Sequence, residues 1–147
     1  AQLVFTPHQK EWEKLSGLDL ASQTEEKSQR AVQNFPEGTV IVEKGPHTRT
    51  WTSGKEEGYQ LDVGGPYQAT GGMGDTLAGM IAGFAGQFPQ VSLYERVVVA
   101  TYLHSAIAED LSKEAYVVLP TTISQEIPKW MKKWSDKDQV ISIENRK

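Results

Sequence analysis

Residues Thr70–Gly86 read TGGMGDTLAGMIAGFAG, and this stretch governs how the rest of the chain is read. Gly71, Gly72 and Gly74 precede an acid at Asp75, and the sequence then runs without pause into a helical pattern. Glycine lets a backbone turn tightly and bring several N–H groups close to a ligand. A helix starting near Gly74 adds unpaired N–H groups and a positive dipole end, which suit an anion such as a phosphate. Along that helix Leu77, Ile81, Phe84 and Phe88 share one side, while Gly79, Ala82, Gly83 and Gly86 share the other. Each glycine costs a helix about 1 kcal/mol against alanine. The pattern therefore predicts a helix covered on both sides, by close packing or by a close ligand.

The loop is not a Walker A loop, because no Gly-Lys-Ser/Thr follows its glycines. It is not the dinucleotide fingerprint either, since Leu77 stands where a third small residue is needed. Two readings remain open. In one, backbone amides receive an anion beside a carboxylate that takes a proton. In the other, Asp75 simply caps a helix after a glycine-rich connection, aspartate being a favoured N-cap.

The length of 147 residues fits one domain. With 15 basic and 19 acidic residues the formal charge is −4, and the acids are dispersed, which offers no footing for nucleic acid or an anionic membrane. The absence of cysteine excludes disulfides, thiol nucleophiles and cysteine metal sites. No apolar run approaches the roughly 18 residues of a membrane helix, and no signal peptide is visible. The composition predicts a cytoplasmic enzyme or binding protein.

From the first residue, Leu3-Val4-Phe5 reads as a buried strand ended by Thr6-Pro7. A buried strand there, without an initiator Met, predicts that further sequence precedes it. Trp12 and Leu15 begin an amphipathic turn stopped by Gly17. Ligands in α/β folds sit at the ends of parallel strands, which places His8 and Glu11 at a candidate site. Against that, His8 fits a surface loop and Glu11 fits a first-turn acid favoured by the helix dipole. Thr24 to Asn34 is a polar helix with Ala31 and Val32 inward. Thr39–Val42 is a β-branched, central strand. It delivers Glu43 and then Lys44, Gly45, Pro46, His47 and Thr48. Residues 49–52 and 59–63 form a hairpin leading into the glycine loop.

Ser92 caps a long helix to Leu111, with Leu93, Val97, Ala100, His104, Ile107 and Leu111 in one stripe. His104 within it reads as a hydrogen-bonded core histidine or, alternatively, as a ligand. Ala115–Leu119 is extended, and Thr121 or Thr122 caps a last helix carrying Ile123, Ile127, Trp130, Met131 and Trp134. Val140–Ile143 forms a terminal strand. Alternating strands and helices point to a three-layer α/β domain with a mostly parallel sheet.

Thr6-Pro7-His8 with Glu11, Lys44-Gly45 with Thr48, and TGGMGDTLAGMIAG together resemble the ribokinase-like superfamily. Within it they resemble the ADP- or ATP-dependent NAD(P)H-hydrate dehydratases. The likeness runs from Leu3 to about Trp134 and covers the carboxy-terminal half of that family's domain. Two departures stand out: Gln9-Lys10 replaces the usual Pro-Gly, and GGPYQATGGMGD replaces the commoner Asn-Pro-Gly-Met lead-in.

The resemblance implies repair of NADHX and NADPHX by phosphoryl transfer from ADP or ATP to the ring hydroxyl, then loss of phosphate. It makes Asp75 the base, with His8 and Asp75 on the NAD(P)HX substrate. Lys44, Gly45, Pro46, His47, Thr48 and Gly74 would line the adenine nucleotide. Amides of Gly72, Met73 and Gly74 would form the anion hole, and Mg2+ would ride on the phosphates. The chain is then expected to need a missing amino-terminal half, or to bury its open sheet edge in a homo-oligomer. The alternatives are a ribokinase-like kinase of a pyrimidine, pyridoxal or sugar, and an inert fragment that only binds its missing half.

Overall fold

The computed structural model describes residues 2–45, 47–61, 73–88, 90–113 and 120–136. Four strands, β1 (Val4–Phe5), β2 (Val40–Glu43), β3 (Arg49–Thr52) and β4 (Tyr59–Gln60), form one mixed sheet in the order β1-β2-β3-β4. β1 lies parallel to β2, with Val4 opposite Val40 and Phe5 opposite Ile41. The hairpin makes β2–β3 and β3–β4 antiparallel, and Arg49 faces Gln60. Gly58 allows the hairpin to close, because a Cβ there would lie 2.2 Å from Trp51 Cε3.

Helices cover both faces. Helices α1 (Gln9–Ser16) and α2 (Glu25–Val32) lie on one side, where Trp12, Ala31 and Val32 pack with Ile41 and Trp51. A 3-10 turn, Leu20–Ser22, joins the two helices. On the other side α3 (Met73–Ala85) and α4 (Leu93–Ser112) bury Leu77, Ile81, Val97 and Ala100 against Val40 and Val42. Strand alternation sorts these side chains, since neighbouring residues of β2 point to opposite faces. The last helix, α5 (Pro120–Asp136), packs Ile123 against Met80, Leu103 and Ile107.

Local chemistry sets the helix ends. Thr24 accepts from the Lys27 N–H and caps α2, while Ser92 accepts from the Glu95 N–H and caps α4. Gly17 closes α1 in the left-handed region at φ 78°, a conformation that favours glycine. Arg96 reaches back from α4 to the carbonyls of Ala85 and Gln87 and so closes α3.

Several expectations need correction. Leu3-Val4-Phe5 is not buried: Val4 and Phe5 are half-buried and Leu3 is 41 % exposed, because β1 has a neighbour on one side only among the described residues. Leu15, expected on the apolar side of α1, is 44 % exposed. Neither Thr121 nor Thr122 caps α5, which already begins at Pro120; proline's fixed φ suits a first helical position. The glycine side of α3 is open, and Cβ atoms on Gly79 or Gly83 would meet nothing within 4 Å among the described residues. The extended segment 115–119 and the strand 140–143 lie outside the described residues. No described helix is long and apolar enough to cross a membrane.

Candidate active site

The parallel pairing of β1 and β2 continues one step past both strands, because the Lys44 N–H donates to the Pro7 carbonyl at 2.9 Å. That bond sets His8, at the head of α1, beside Lys44, at the head of the following turn. A Cβ on Gly45 would lie 3.3 Å from Gln9 Nε2, so this turn packs directly on the start of α1. On its other side a Cβ on Gly74 would lie 3.3 Å from Lys44 Nζ. Two helix N-termini, α1 and α3, therefore meet one lysine. No ion-pair partner of Lys44 occurs among the described residues.

His8 and Glu11 close the start of α1 reciprocally. Glu11 N–H donates to His8 Nδ1 at 3.3 Å, and Glu11 Oε1 accepts from the His8 N–H at 3.0 Å. Glu11 Oε1 also lies 3.1 Å from His8 Nε2. The His8 main-chain N–H holds the Glu11 carboxyl below the usual carboxylate range, and the charges of His8, Lys44 and Lys14 add to it. Glu11 is thus the helix-start acid that the dipole favours, and it also pins the candidate substrate histidine.

Helix α3 already includes Met73, which puts Asp75 inside the first turn and not at the cap position. Gly74 and Asp75 are exposed. A groove of about 400 Å³ starts at Asp75 and Thr76 and runs between α3 and α5, past Gly79 and Gly83 to Ser124 and Ile127. The arrangement can receive an anion on amides and a lysine and place a carboxylate next to it.

The remaining sequence-derived positions divide. Gly45 and His47 are exposed, and Thr48 Oγ1 donates to the Gly45 carbonyl at 3.5 Å. Pro46 and Gly72 lie outside the described residues. His104 is buried, 4 % exposed, as expected of a core histidine. The hydrogen bond expected for it is not met at Nε2, which has no partner among the described residues. Burial pushes its pKa down to about 4, so the imidazole is neutral. Sequence reasoning passed over Glu43, which is buried at the end of β2 and accepts from Ser28 and Trp51. Strand alternation was the available signal, since it puts residue 43 on the same face as the core residue Ile41.

Known proteins share this sequence pattern and fold. The family model for NAD(P)H-hydrate dehydratase matches residues 1–129. An ADP-dependent (S)-NAD(P)H-hydrate dehydratase of Streptococcus pneumoniae is 67 % identical over 132 residues, which are 90 % of this chain and 46 % of that protein. A Streptococcus mutans crystal structure, described as of a hypothetical protein, superposes with TM-score 0.85 at 55 % identity over 90 % of this chain and 47 % of its own. A ribokinase-like superfamily protein of Enterococcus faecalis gives TM-score 0.81 at 49 % identity, over 89 % of this chain and 44 % of its own. The ADP/ATP-dependent NAD(P)H-hydrate dehydratase of Bacillus subtilis, co-crystallised with ATP/Mg2+, gives 0.75 at 28 % identity, over 89 % and 47 %. The chain spans about half the length of the curated relatives it matches. With a ribokinase-like fold and a family model covering most of its residues, the chain belongs to the NAD(P)H-hydrate dehydratase family.

Proposed function

We propose that residues 1–147 form the carboxy-terminal half of a cytoplasmic enzyme that returns NADHX and NADPHX to NADH and NADPH at the expense of ADP or ATP. The observation that carries this reading is Lys44 Nζ beside Gly74, at the exposed N-terminus of α3 and next to Asp75. The names of the relatives, ADP-dependent in the streptococci and ADP/ATP-dependent in Bacillus subtilis, support the choice of donor.

Asp75 takes the proton of the ring hydroxyl as that oxygen forms its bond to the phosphorus and the bond from phosphorus to the nucleotide breaks. Amides of Gly72, Met73 and Gly74 receive the transferring group's oxygens. Inorganic phosphate then leaves with a ring proton, and the dihydronicotinamide is restored. Positioning the base against the hydroxyl supplies much of the rate, an effect worth about 7–11 kcal/mol in well-oriented reactions. His8, pinned by Glu11, faces the nicotinamide nucleotide. The segment 44–48 with Gly74 lines the adenine nucleotide. The described residues hold no group of three or more acidic or imidazole side chains for a metal, so Mg2+ is assigned no protein ligands and no step. When bound on the phosphates it would neutralise their charge.

The test uses a complete domain, in which residues 1–147 follow the amino-terminal half of the Streptococcus pneumoniae relative. Supplied with NADHX and ADP or ATP, it should release inorganic phosphate and NADH absorbance. A phosphate ester without NADH would instead identify a kinase. In crystals soaked with ADP, adenosine density should lie between residues 44–48 and Gly74, and density elsewhere rejects the pocket. The half-covered edge strand β1 supports completion by the other half or by oligomerisation. Light scattering on the chain alone should show association, and a folded monomer active on NADHX would refute the need for it.

A further inference from the structure

Glu43 ends β2 with its side chain buried, and no lysine or arginine pairs with it among the described residues. Its partners are neutral. Ser28 Oγ donates to Oε1 at 3.1 Å, and Trp51 Nε1 donates to Oε2 at 3.0 Å. Ser28 Oγ in turn accepts from Trp12 Nε1 at 3.0 Å. One carboxyl group thus ties α1, α2, β2 and β3 together, with Trp12, Ser28 and Trp51 all buried. Burying a carboxyl without a cation is costly compared with an apolar side chain of similar size. Simple core filling does not account for it.

Position does. Ile41 and Glu43 point to the α1–α2 face of the sheet, while Val40 and Val42 point to the α3–α4 face. Lys44 continues the second series, and its Nζ reaches the first turn of α3. The residue behind it is therefore the last one that the sheet can hold firmly. Two donors fixed in the core, on α2 and β3, act on Glu43, and Trp12 of α1 holds the first of them, which makes the peptide Glu43 shares with Lys44 hard to displace.

We infer that Glu43 is a positioning residue: held from behind by Ser28 and Trp51, it fixes the end of β2 so that Lys44 meets the nucleotide phosphates at the N-terminus of α3. The inference rests on the proposed nucleotide site at Lys44. A purely structural Glu43 would set stability and leave nucleotide affinity alone, which separates the two roles.

The experiment measures KM for ADP, kcat and melting temperature in the complete domain for Lys44→Ala, Glu43→Leu, Glu43→Gln and Trp51→Phe. Leucine removes the acceptor for both donors. Glutamine keeps one acceptor, and its amide can donate to Ser28. Glu43→Leu should raise KM for ADP about tenfold with kcat at saturating ADP within about threefold, and Glu43→Gln should restore most of the loss. A lower melting temperature with KM unchanged overturns the inference. If Glu43→Leu does not fold, Trp51→Phe decides, since it removes one of the two donors to Glu43: a raised KM for ADP supports the inference and an unchanged KM overturns it. If Lys44→Ala leaves KM for ADP unchanged, the nucleotide site itself is misplaced, and the inference falls with it.

Discussion

The start of α1 with the end of β2, and the glycine helix α3, face the same site but differ in how far the chain satisfies them. In the first region the polar groups other than the Lys44 ammonium find partners within the chain: His8 with Glu11, Glu43 with Ser28 and Trp51, Lys44 N–H with Pro7. In the second, Gly74 and Asp75 are exposed, and Cβ atoms on Gly79 or Gly83 would meet nothing within 4 Å among the described residues. One region is finished by its own sequence and can act as a rigid support. The other keeps its helix end and one face available. A binding site needs both, because groups that hold a ligand must be free of partners while the groups behind them are not.

If the open helix end is chemical, its acid should matter for turnover and little for folding. Asp75→Asn removes the charge at nearly the same size. Turnover of NADHX by the complete domain should fall at least about 10²-fold. The lost first-turn charge should cost only about 0.3–1 kcal/mol of stability. Full activity with a markedly lower melting temperature would make Asp75 structural and erase the contrast.

The second test probes the core that both regions share. His104 is buried and neutral, with its pKa near 4 against an ordinary 6.5. Its folded value is the lower one, so the unfolded chain binds the proton more readily. Stability should be unaffected above pH 6.5 and fall as pH drops towards 4, by about 3 kcal/mol in all. Urea unfolding at several pH values measures this. A His104→Gln variant should lack that part of the loss; an identical slope in both proteins would exclude His104 as the source.

How far the sequence could be read follows the same division. Val40–Val42 and the stripe Leu93, Val97, Ala100, Ile107 were legible because burial on a regular element leaves a period. Motif and spacing singled out Lys44, His8 and Gly74, and the structure brings these three together; the loop before residue 73 lies outside the described residues. The Glu43 arrangement was not. Its partners stand 15 and 8 residues away on other elements, and no local rule predicts which donors will converge on one carboxyl. What covers the glycine side of α3 is not legible in the sequence, because a row of small residues looks the same under a packed helix, beside a ligand or facing a groove; among the described residues it faces a groove.

The third test contrasts glycines across the two regions. Gly58 belongs to the closed one, with the Trp51 ring where its Cβ would go. Gly58→Ala must push either the hairpin or a buried indole aside and should destabilise by about 1–3 kcal/mol. Denaturant melts followed by tryptophan fluorescence would report it. An unchanged midpoint would mean that the hairpin yields freely, and that this region is less rigid than its hydrogen bonds imply.

Gly79 gives the smallest effect and the opposite sign. Its Cβ would enter open space, and alanine favours a helix over glycine by about 1 kcal/mol. In residues 1–147 alone, Gly79→Ala and Gly83→Ala should each stabilise by up to about that amount. The same changes in the complete domain ask what the groove beside Asp75 is for. If the face stays open there, the gain persists and KM values do not move. If the other half of the domain packs on it, the gain turns into a loss of stability. If a ligand lies along it, stability still rises while KM for NADHX or ADP worsens. Destabilisation in the isolated chain would show that α3 is already covered, and would remove the difference between the two regions.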